Sequence, residues 1–282
     1  MRKKKRLFGP ILVLILMWGA ACSNNPQLPS VDYKPQLVLF GILAPGTYTL
    51  SETAFIKPLR YNFFVVQRTF KQRERLLLLP MNNVSIWVDS VQMEKVGELK
   101  QNTYSANGGS FAMKTPIYSF DQKTFPIQAN RTYTVRASAP RYLPISASTV
   151  VPEKPVILEP ADSTVSFSQK TIRLKWGKTK GAAGYHVMVW CEKEKLRWPC
   201  DEGWLSAARN TYVINLEDYY FPNSLDTLEV AVQALDQNYV NYLSLRDNFF
   251  STCLTQSSFQ VKNGLGVLGS LNETRRHFII VK

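Results

Sequence analysis

Histidine and carboxylate side chains are the residues of this sequence that could perform acid–base chemistry. A Ser–His–Asp triad needs a histidine beside a nucleophile and an orienting acid, and the chain offers His186 and His277. His186 lies in a predicted strand among core-like residues, and His277 is predicted in the last strand beside two arginines. The acidic doublets 201–202 and 217–218 would point to opposite faces of a strand, whereas glycoside hydrolysis needs two facing carboxylates. The sequence therefore predicts no catalytic residue.

Metal and cofactor sites have equally little support in the sequence. A zinc site needs three or four converging ligands, and two distant histidines with scattered cysteines do not supply them. There is no dense Asp/Asn run with a glycine at calcium-loop spacing, and no glycine-rich phosphate loop joins a strand to a helix. Close backbone packing explains the glycines between residues 263 and 269 better. We therefore predict no metal site and no cofactor.

Segment 190–204 has the most unusual composition in the chain. It contains the residue types that dominate binding energy at interfaces, at Trp190, Arg197, Trp198 and Trp204. The strand alternation stops after Val189, which predicts a long connection, and loops on a rigid sandwich often carry recognition residues. Two interpretations remain open: these four residues bind a partner, or the tryptophan rings cap the sandwich and fill its edge.

Cysteine usage fits an oxidising compartment. Besides Cys22 the chain has Cys191, Cys200 and Cys253, and an odd number leaves one thiol over. Cys191 and Cys200 would close a short loop, so we predict a disulfide between them, with Cys253 free. No Cys-x-x-Cys pair is present, so a redox motif is not supported.

The first residues of the chain form an export signal. Residues 2–6 are all basic, and residues 7–21 carry no charge, which is the order of a signal peptide. The uncharged run is too short to span a bilayer comfortably, since spanning needs roughly 20 apolar residues. It ends in Gly-Ala-Ala before Cys22, which resembles the lipobox of bacterial lipoproteins and predicts a lipid on that cysteine. The alternative is an ordinary secretory peptide cleaved near Ala21.

The distribution of charge argues against a nucleic-acid partner. The chain has 34 basic and 21 acidic residues, and without the five basic residues of the leader 29 remain, a net charge of +8. The basic residues are scattered rather than clustered, which is typical of solvated strand faces and loops. A basic face could instead lie against anionic lipid or an acidic partner.

Period-two alternation between turn residues predicts antiparallel β-strands through most of the chain. A prolyl stretch at 151–155 divides the pattern, because proline stiffens the backbone. We therefore expect two antiparallel β-sandwich domains. The predicted strands include residues 37–43, 62–66, 84–88, 132–136, 172–176, 185–189 and 228–234.

The second half resembles a fibronectin type III domain. The resemblance rests on Glu-Pro-Ala-Asp at 159–162, Ile-Arg-Leu-Lys-Trp at 172–176, and Gly-Ala-Ala-Gly-Tyr at 181–185. It implies that Trp176 is the core tryptophan. Leu228 stands where that family usually has a tyrosine.

A wider resemblance covers nearly the whole chain after the leader. It is a resemblance to the Bacteroidota lipoproteins grouped as "domain of unknown function 4249". The segments that carry it are the lipobox, the apolar run from residue 35, an Ig-like stretch ending at 130–135, the Tyr-rich stretch at 237–242 and the Asn-Gly-Leu-Gly-Val-Leu-Gly segment near the end. The resulting division is a signal peptide at residues 1–21, a lipidated tether at 22–35, an Ig-like β-sandwich at 36–150, and a fibronectin type III-like β-sandwich with a C-terminal extension at 151–282.

The family resemblance implies a non-enzymatic lipoprotein of the outer membrane, often produced with a TonB-dependent transporter. Our expectation is a binding or assembly accessory that is anchored to the membrane by lipid and that contacts such a transporter. The face of the outer membrane that it occupies stays open. One alternative is a surface protein that binds glycans or adheres, and another is a hydrolase with an unrecognised site.

Overall fold

β-strands make up most of the structure. The computed structural model describes residues 34–46, 61–69, 81, 83–104, 110–191, 201–219, 221, 225–247 and 261–282. The predicted leader and Cys22 lie outside these residues. The strands are β1 Leu37–Leu43, β2 Phe64–Arg68, β3 Ser85–Val88, β4 Val91–Gln92, β5 Glu94–Tyr104, β6 Ser110–Ser119, β7 Thr132–Ser138, β8 Ile145–Val150, β9 Ile157–Glu159, β10 Thr164–Ser166, β11 Thr171–Trp176, β12 Gly184–Cys191, β13 Asp201–Ser206, β14 Thr211–Asn215, β15 Leu225–Leu235 and β16 Leu265–Val281. One α-helix among the described residues, α1, spans Gln237–Asp247.

A large sheet joins the two halves of the chain. Its strand order is β13–β12–β15–β16–β1–β2–β6–β5, and β10 pairs with β16 beside this path. A four-stranded sheet, β4–β3–β7–β8, packs on the part around β1, and a three-stranded sheet, β14–β11–β9, packs on the part around β12 and β15. The protein is therefore all-β, with two sandwiches that share one sheet.

The first sandwich encloses a core drawn from both of its sheets. Alternate residues point inward in β3 and β7, so the predicted period of two is confirmed there, whereas the apolar run of β1 ends in three consecutive buried residues. Tyr133 is fully buried, and its hydroxyl accepts a hydrogen bond from the backbone N–H of Gln128 at 2.7 Å. That bond ties the loop before β7 to the core. The buried core includes Leu37, Leu39, Phe64, Val66, Ile86, Val88, Tyr133, Val135, Ile145, Val267 and Leu268.

The second sandwich is built around the predicted core tryptophan. Trp176 is fully buried and its ring packs edge-on against Tyr185, with ring centroids 5.2 Å apart. The Tyr185 hydroxyl accepts a hydrogen bond from the backbone N–H of Thr179 at 3.0 Å, which fixes the loop between β11 and β12. Leu228 is buried in the same core, where it replaces a tyrosine by aliphatic packing.

Strand β16 belongs to both sandwiches. Its first residues pair in parallel with β1, from Leu265 to Ser270, and its later residues pair antiparallel with β15. Val267 and Leu268 lie in the first core, whereas Phe278 and Ile280 lie in the second. The predicted domain bounds stay a prediction, but the end of the chain is an integral strand of the first sandwich as well as of the second.

A polar cluster fastens α1 to the strands at the junction of the two sandwiches. Asp236 precedes the helix, and its Oδ1 accepts hydrogen bonds from the backbone N–H of Tyr239 at 2.9 Å and of Ser270 at 3.0 Å. Its Oδ2 lies 2.6 Å from the Thr149 hydroxyl. Asn238 donates to the carbonyl oxygens of Ser148 and Leu268, both at 2.9 Å. Strands β8 and β16 and the helix therefore share one buried hydrogen-bond network.

Three features differ from the sequence-based expectation. The pairs β1–β16 and β10–β16 are parallel, because β16 is reached through long crossovers rather than hairpins. The stretch 237–247 is a helix, and the N-cap at Asp236 was the local signal for it. The prolyl stretch is packed rather than a free linker: Val151 is fully buried, and the side-chain amide of Asn272 donates to the Pro152 carbonyl at 3.1 Å. Among the described residues, no helix has the length and apolar character needed to cross a bilayer.

Candidate functional site

The outer face of the second sandwich gathers polar and aromatic side chains on four neighbouring strands. Because alternate residues of β12 fill the core, the intervening ones, including His186 and Trp190, point away from it. Strand pairing then places three cross-strand rows on this face, which we call the tryptophan face. The rows are Trp204–His186–Gln233–Glu273, Glu202–Met188–Ala231–Arg275, and Trp190–Glu229–His277.

His186 is held from several directions. Its ring stacks on the Trp204 ring, with centroids 3.4 Å apart and planes within 5°. Its Nδ1 lies 3.3 Å from the side-chain oxygen of Gln233, and its Nε2 lies 3.2 Å from a carboxylate oxygen of Glu202. The histidine is 6% exposed. Such a side chain is fixed in position and is poorly accessible to a substrate.

Arg275 forms the centre of a second cluster on the same face. Its guanidinium donates to Glu273 at 2.5 Å and to Glu229 at 2.6 Å, and its Cζ lies 5.1 Å from the centre of the Trp190 ring. Burial acts to lower the pKa of Arg275, but the hydrogen bonds to the two glutamates outweigh it and raise the pKa, so the guanidinium stays charged. Half of this side chain remains exposed.

Gln233 connects the two clusters. Its side-chain nitrogen donates to Glu273 at 2.7 Å and to the Tyr61 hydroxyl at 2.5 Å, while its oxygen faces His186. Tyr61 lies just before β2, so the network reaches from the second sandwich to the first half of the chain. Hydrogen bonds therefore link the side chains of the tryptophan face to one another and to Tyr61.

This arrangement offers little for catalysis or metal binding. His186 and Glu202 form the histidine–acid pair that a triad would use, but the histidine is buried beneath the stacked Trp204 ring and is poorly accessible to a substrate. Within the described ranges, no group of three histidine, cysteine, aspartate or glutamate residues is close enough to hold a metal ion. His277 lies two residues beyond Arg275 and is exposed.

The predicted partner-binding residues meet this face in part. Trp190 and Trp204 both lie on it, and both are half-buried. Trp204 also packs against the small apolar cluster at the junction of the sandwiches, so this side chain contributes to the packing of the fold as well. Arg197 and Trp198 lie outside the described residues.

The broken alternation of segment 190–204 predicted a long connection, but both ends of the segment lie in strands. Trp190 and Cys191 still belong to β12, and β13 begins at Asp201, so the segment begins and ends in paired strands. Of the predicted disulfide, the Cys191 side chain and all of Cys200 fall outside the description, as does Cys253, and the bond stays a prediction.

Sequence reasoning missed the residues that hold Trp190 and His186. Glu229 and Gln233 alternate with core residues along β15, and that alternation was a usable signal, whereas Glu273 and Arg275 stand in a polar stretch of β16 that shows no alternation. The pairing of these two strands was not readable locally, because their partner residues are 40 or more positions apart.

Comparison with known proteins identifies a family and structures that are similar at low sequence identity. Three solved structures are similar over much of the chain: the FN1–FN3 domains of chicken CNTN1 (12% identity, 70% of this chain and 57% of that chain, TM-score 0.22), a cytokine receptor complex (10%, 75% and 89%, 0.24) and fibronectin(III)-like modules of Clostridium thermocellum CbhA (10%, 88% and 93%, 0.27). The chain thus spans just over half of the CNTN1 fragment. No curated protein matches. A family model described as "Domain of unknown function (DUF4249)" matches residues 25–277.

Proposed function

The chain belongs to the family described as "Domain of unknown function (DUF4249)", and on that premise we propose that it is a non-enzymatic accessory that binds or helps assemble a partner protein in the outer membrane. A lipid on Cys22 anchors it there, and the partner is an integral protein such as a TonB-dependent transporter. The tryptophan face is the contact surface, with Trp190 as its anchor.

The observation that supports this proposal most is the Trp190–Arg275 pair. Tryptophan and arginine are the side chains that most often dominate interface energies. Here the two are stacked, half-exposed, and held on paired strands by Glu229 and Glu273, so they are pre-organised for a partner. The surrounding carboxylates and Gln233 form a polar rim. A hydrolase has less support, because His186 is buried and therefore poorly accessible to a substrate.

The partner surface is tested by removing Trp190. We expect Trp190→Ala to lower recovery of co-purifying membrane protein by roughly 30-fold, the value of a 2 kcal/mol hot spot, with little change in melting temperature. The measurement is a mild-detergent pull-down from native membranes, alongside a thermal unfolding scan. Trp87→Ala is the matched control, because Trp87 is a 39% exposed tryptophan on the other sandwich.

A large fall in melting temperature for Trp190→Ala with the partner retained would mean that the ring is structural. Loss of the partner in both tryptophan variants would place the contact elsewhere. Either result would contradict the tryptophan face as the docking surface.

Lipidation carries its own prediction. We expect Cys22→Ala to abolish acyl labelling and to release the chain into the soluble fraction, because the several acyl chains of a lipoprotein N-terminus anchor stably whereas a single chain does not. Radiolabelled fatty acid incorporation and membrane fractionation measure this. Because the proposed partner would itself hold unlabelled protein at the membrane, release is measured in the double variant Cys22→Ala/Trp190→Ala. Label retained in Cys22→Ala, or unlabelled double variant that stays in the membrane, would disprove the anchor.

A further inference from the structure

The four-stranded sheet of the first sandwich presents an outward row of side chains that is independent of the tryptophan face. Cross-strand pairing puts Trp87 on β3 opposite Arg136 on β7, and Arg136 opposite Ser146 on β8. Ser146 is bridged in turn to Lys262. Neighbouring strands lie about 4.8 Å apart, so the row from Trp87 to Lys262 extends roughly 14 Å. This length suits an oligomeric ligand rather than a single small molecule.

Two open clefts run along this row and meet at Arg136. One has a volume of about 690 Å³ and is lined by Thr134, Arg136, Ser148 and Lys262, among others. The other has a volume of about 400 Å³ and includes Trp87 and Arg136. The row is therefore a continuous shallow groove with an aromatic ring at one end and a lysine at the other.

The charge of this groove is positive and uncompensated. Within the described part of the chain, neither Arg136 nor Lys262 has a carboxylate partner, and the ring of Trp87 is stacked on no other ring or cation. Asp89, at the edge of the smaller cleft, pairs with Arg131 at 3.2 Å and accepts the Thr134 N–H at 2.9 Å. Arg131 therefore neutralises the charge of Asp89, and this carboxylate does not neutralise Arg136 or Lys262.

The rest of the groove is lined by small hydroxyl side chains together with the apolar Ala137, Pro144, Ala147 and Val261. Ser146 and Ser148 on β8 and Thr134 and Ser138 on β7 lie between the cations and can donate or accept hydrogen bonds. The exposed surface thus combines one aromatic platform, two cations and a hydroxyl-rich floor.

We propose that this groove binds an acidic polysaccharide. The Trp87 ring stacks on a sugar ring, Arg136 pairs with a carboxylate or sulfate group in bidentate geometry, and Lys262 pairs with the next anionic group along the chain. The serine and threonine hydroxyls bond to sugar hydroxyls. This inference goes beyond the protein-partner function and does not depend on it, because the two surfaces lie on different sandwiches.

Binding is tested with the full-length chain in mild detergent at low salt. The probes are polygalacturonate, dextran sulfate, neutral dextran and phosphatidylglycerol vesicles, and affinity electrophoresis or calorimetry measures the dissociation constant. We expect binding to polygalacturonate, dextran sulfate or both, which shows whether carboxylate or sulfate is the preferred anion, and none to dextran. The affinity should fall as salt is raised.

Variants tie the binding to the groove. We expect Trp87→Ala, Arg136→Gln and Lys262→Gln each to weaken binding roughly tenfold or more, because each removes a stacking or charge-assisted contact. The matched controls are Trp190→Ala for the aromatic ring, and Arg173→Gln on the exposed face of β11 for the cation. The controls should bind as the wild type does, and unchanged melting temperatures confirm folding of all variants.

The proposal is overturned by any of four results. These are no binding to either acidic polysaccharide, equal binding to dextran, equal losses in Arg173→Gln and Arg136→Gln, and binding to the vesicles alone. The third result would mean that net charge alone is responsible, and the fourth that the surface is a lipid contact. Loss of the membrane partner in Trp190→Ala with polysaccharide binding intact would leave both surfaces supported.

Discussion

Replacing Gly266 by alanine is expected to destabilise the first sandwich by at least about 3 kcal/mol. Gly266 has φ +111°, a backbone conformation that side chains disfavour, and a Cβ built there would overlap the backbone carbonyl oxygen of its parallel partner Leu39. The strands cannot separate to make room, because Leu39 and the neighbouring Val267 are both in the core. A melting temperature lower by roughly 6–12 °C is the expected measurement.

Gly177→Ala is the matched control for this substitution. A Cβ at Gly177 would meet nothing within 4 Å, and the residue is not among the glycines with positive φ. We expect its stability to stay within about 0.5 kcal/mol of wild type. A Gly266→Ala protein as stable as Gly177→Ala would contradict the parallel pairing of β16 with β1.

Replacing Asp236 by alanine is expected to cost about 3 kcal/mol or more. Alanine would leave two backbone donors, the N–H groups of Tyr239 and Ser270, without their acceptor, and it would remove the carboxyl group that bonds to the buried Thr149 hydroxyl. Urea unfolding measures the loss. Asp162→Ala, at an exposed aspartate of the second sandwich, is the control and should change stability by less than about 0.5 kcal/mol.

The protonation state of Asp236 adds a pH dependence with a definite sign. Burial raises the pKa of Asp236 above 3.8, although hydrogen bonds from Thr149, Ser270 and Tyr239 act against it. The hydroxyl geometry favours the protonated acid too. Thr149 has one hydrogen but lies 2.6 Å from Asp236 and 2.7 Å from the Ser270 hydroxyl, which donates to Val150 at 2.9 Å. A protonated Asp236 can donate to Thr149 and satisfy the whole chain of hydroxyls.

A raised pKa in the folded state means that the folded protein binds the proton more tightly than the unfolded chain does. Its stabilising effect is therefore fully present below pH 3.8 and is lost as the pH rises through the raised pKa. Asp236→Asn cannot titrate. We expect the free energy of unfolding of the wild type, relative to Asp236→Asn, to increase as the pH is lowered towards 3.8. A difference that is constant with pH, or that decreases on acidification, would contradict the assignment.

Local sequence patterns predicted the strands well because alternation reports which face of a strand is buried. The stretch 37–43 matches β1 throughout, and Trp176 fills the core as expected. The same patterns carry no information about which strands pair across long separations. The two sandwiches therefore looked independent in the sequence, whereas β16 joins them by pairing with β1 at one end and β15 at the other.

The glycines near the end of the chain illustrate a prediction that local reasoning could make only in outline. Their spacing indicated close packing, and the structure confirms it: a Cβ at Gly264 would lie 2.7 Å from the Leu37 carbonyl oxygen, and one at Gly269 would lie 2.7 Å from the Tyr239 Cβ. Gly264 approaches Leu37 of the first strand, which is more than 200 residues away in sequence, and Gly269 approaches Tyr239 of helix α1, about 30 residues away. Local reasoning could not identify either partner.

The candidate site was predictable in composition but not in geometry. Tryptophan and arginine in one segment indicated recognition, and Trp190 does lie on an outward surface. Its guanidinium partner is Arg275 rather than a residue of the segment, because only the pairing of β12, β15 and β16 brings the two together. Alternation with Ile86 and Val88 placed Trp87 on the outward face of its strand, but its cross-strand neighbour Arg136 could not be identified from the sequence.

The claim that the chain acts by binding a membrane partner is tested most directly by extracting wild-type protein from native membranes in mild detergent. The measurement is the mass and composition of the particle that contains it. We expect a particle well above the 32.1 kDa of the full-length chain, containing one outer-membrane protein in a constant ratio to it. Extraction of the chain at its own mass, with no protein in constant ratio to it, would contradict the proposed accessory function.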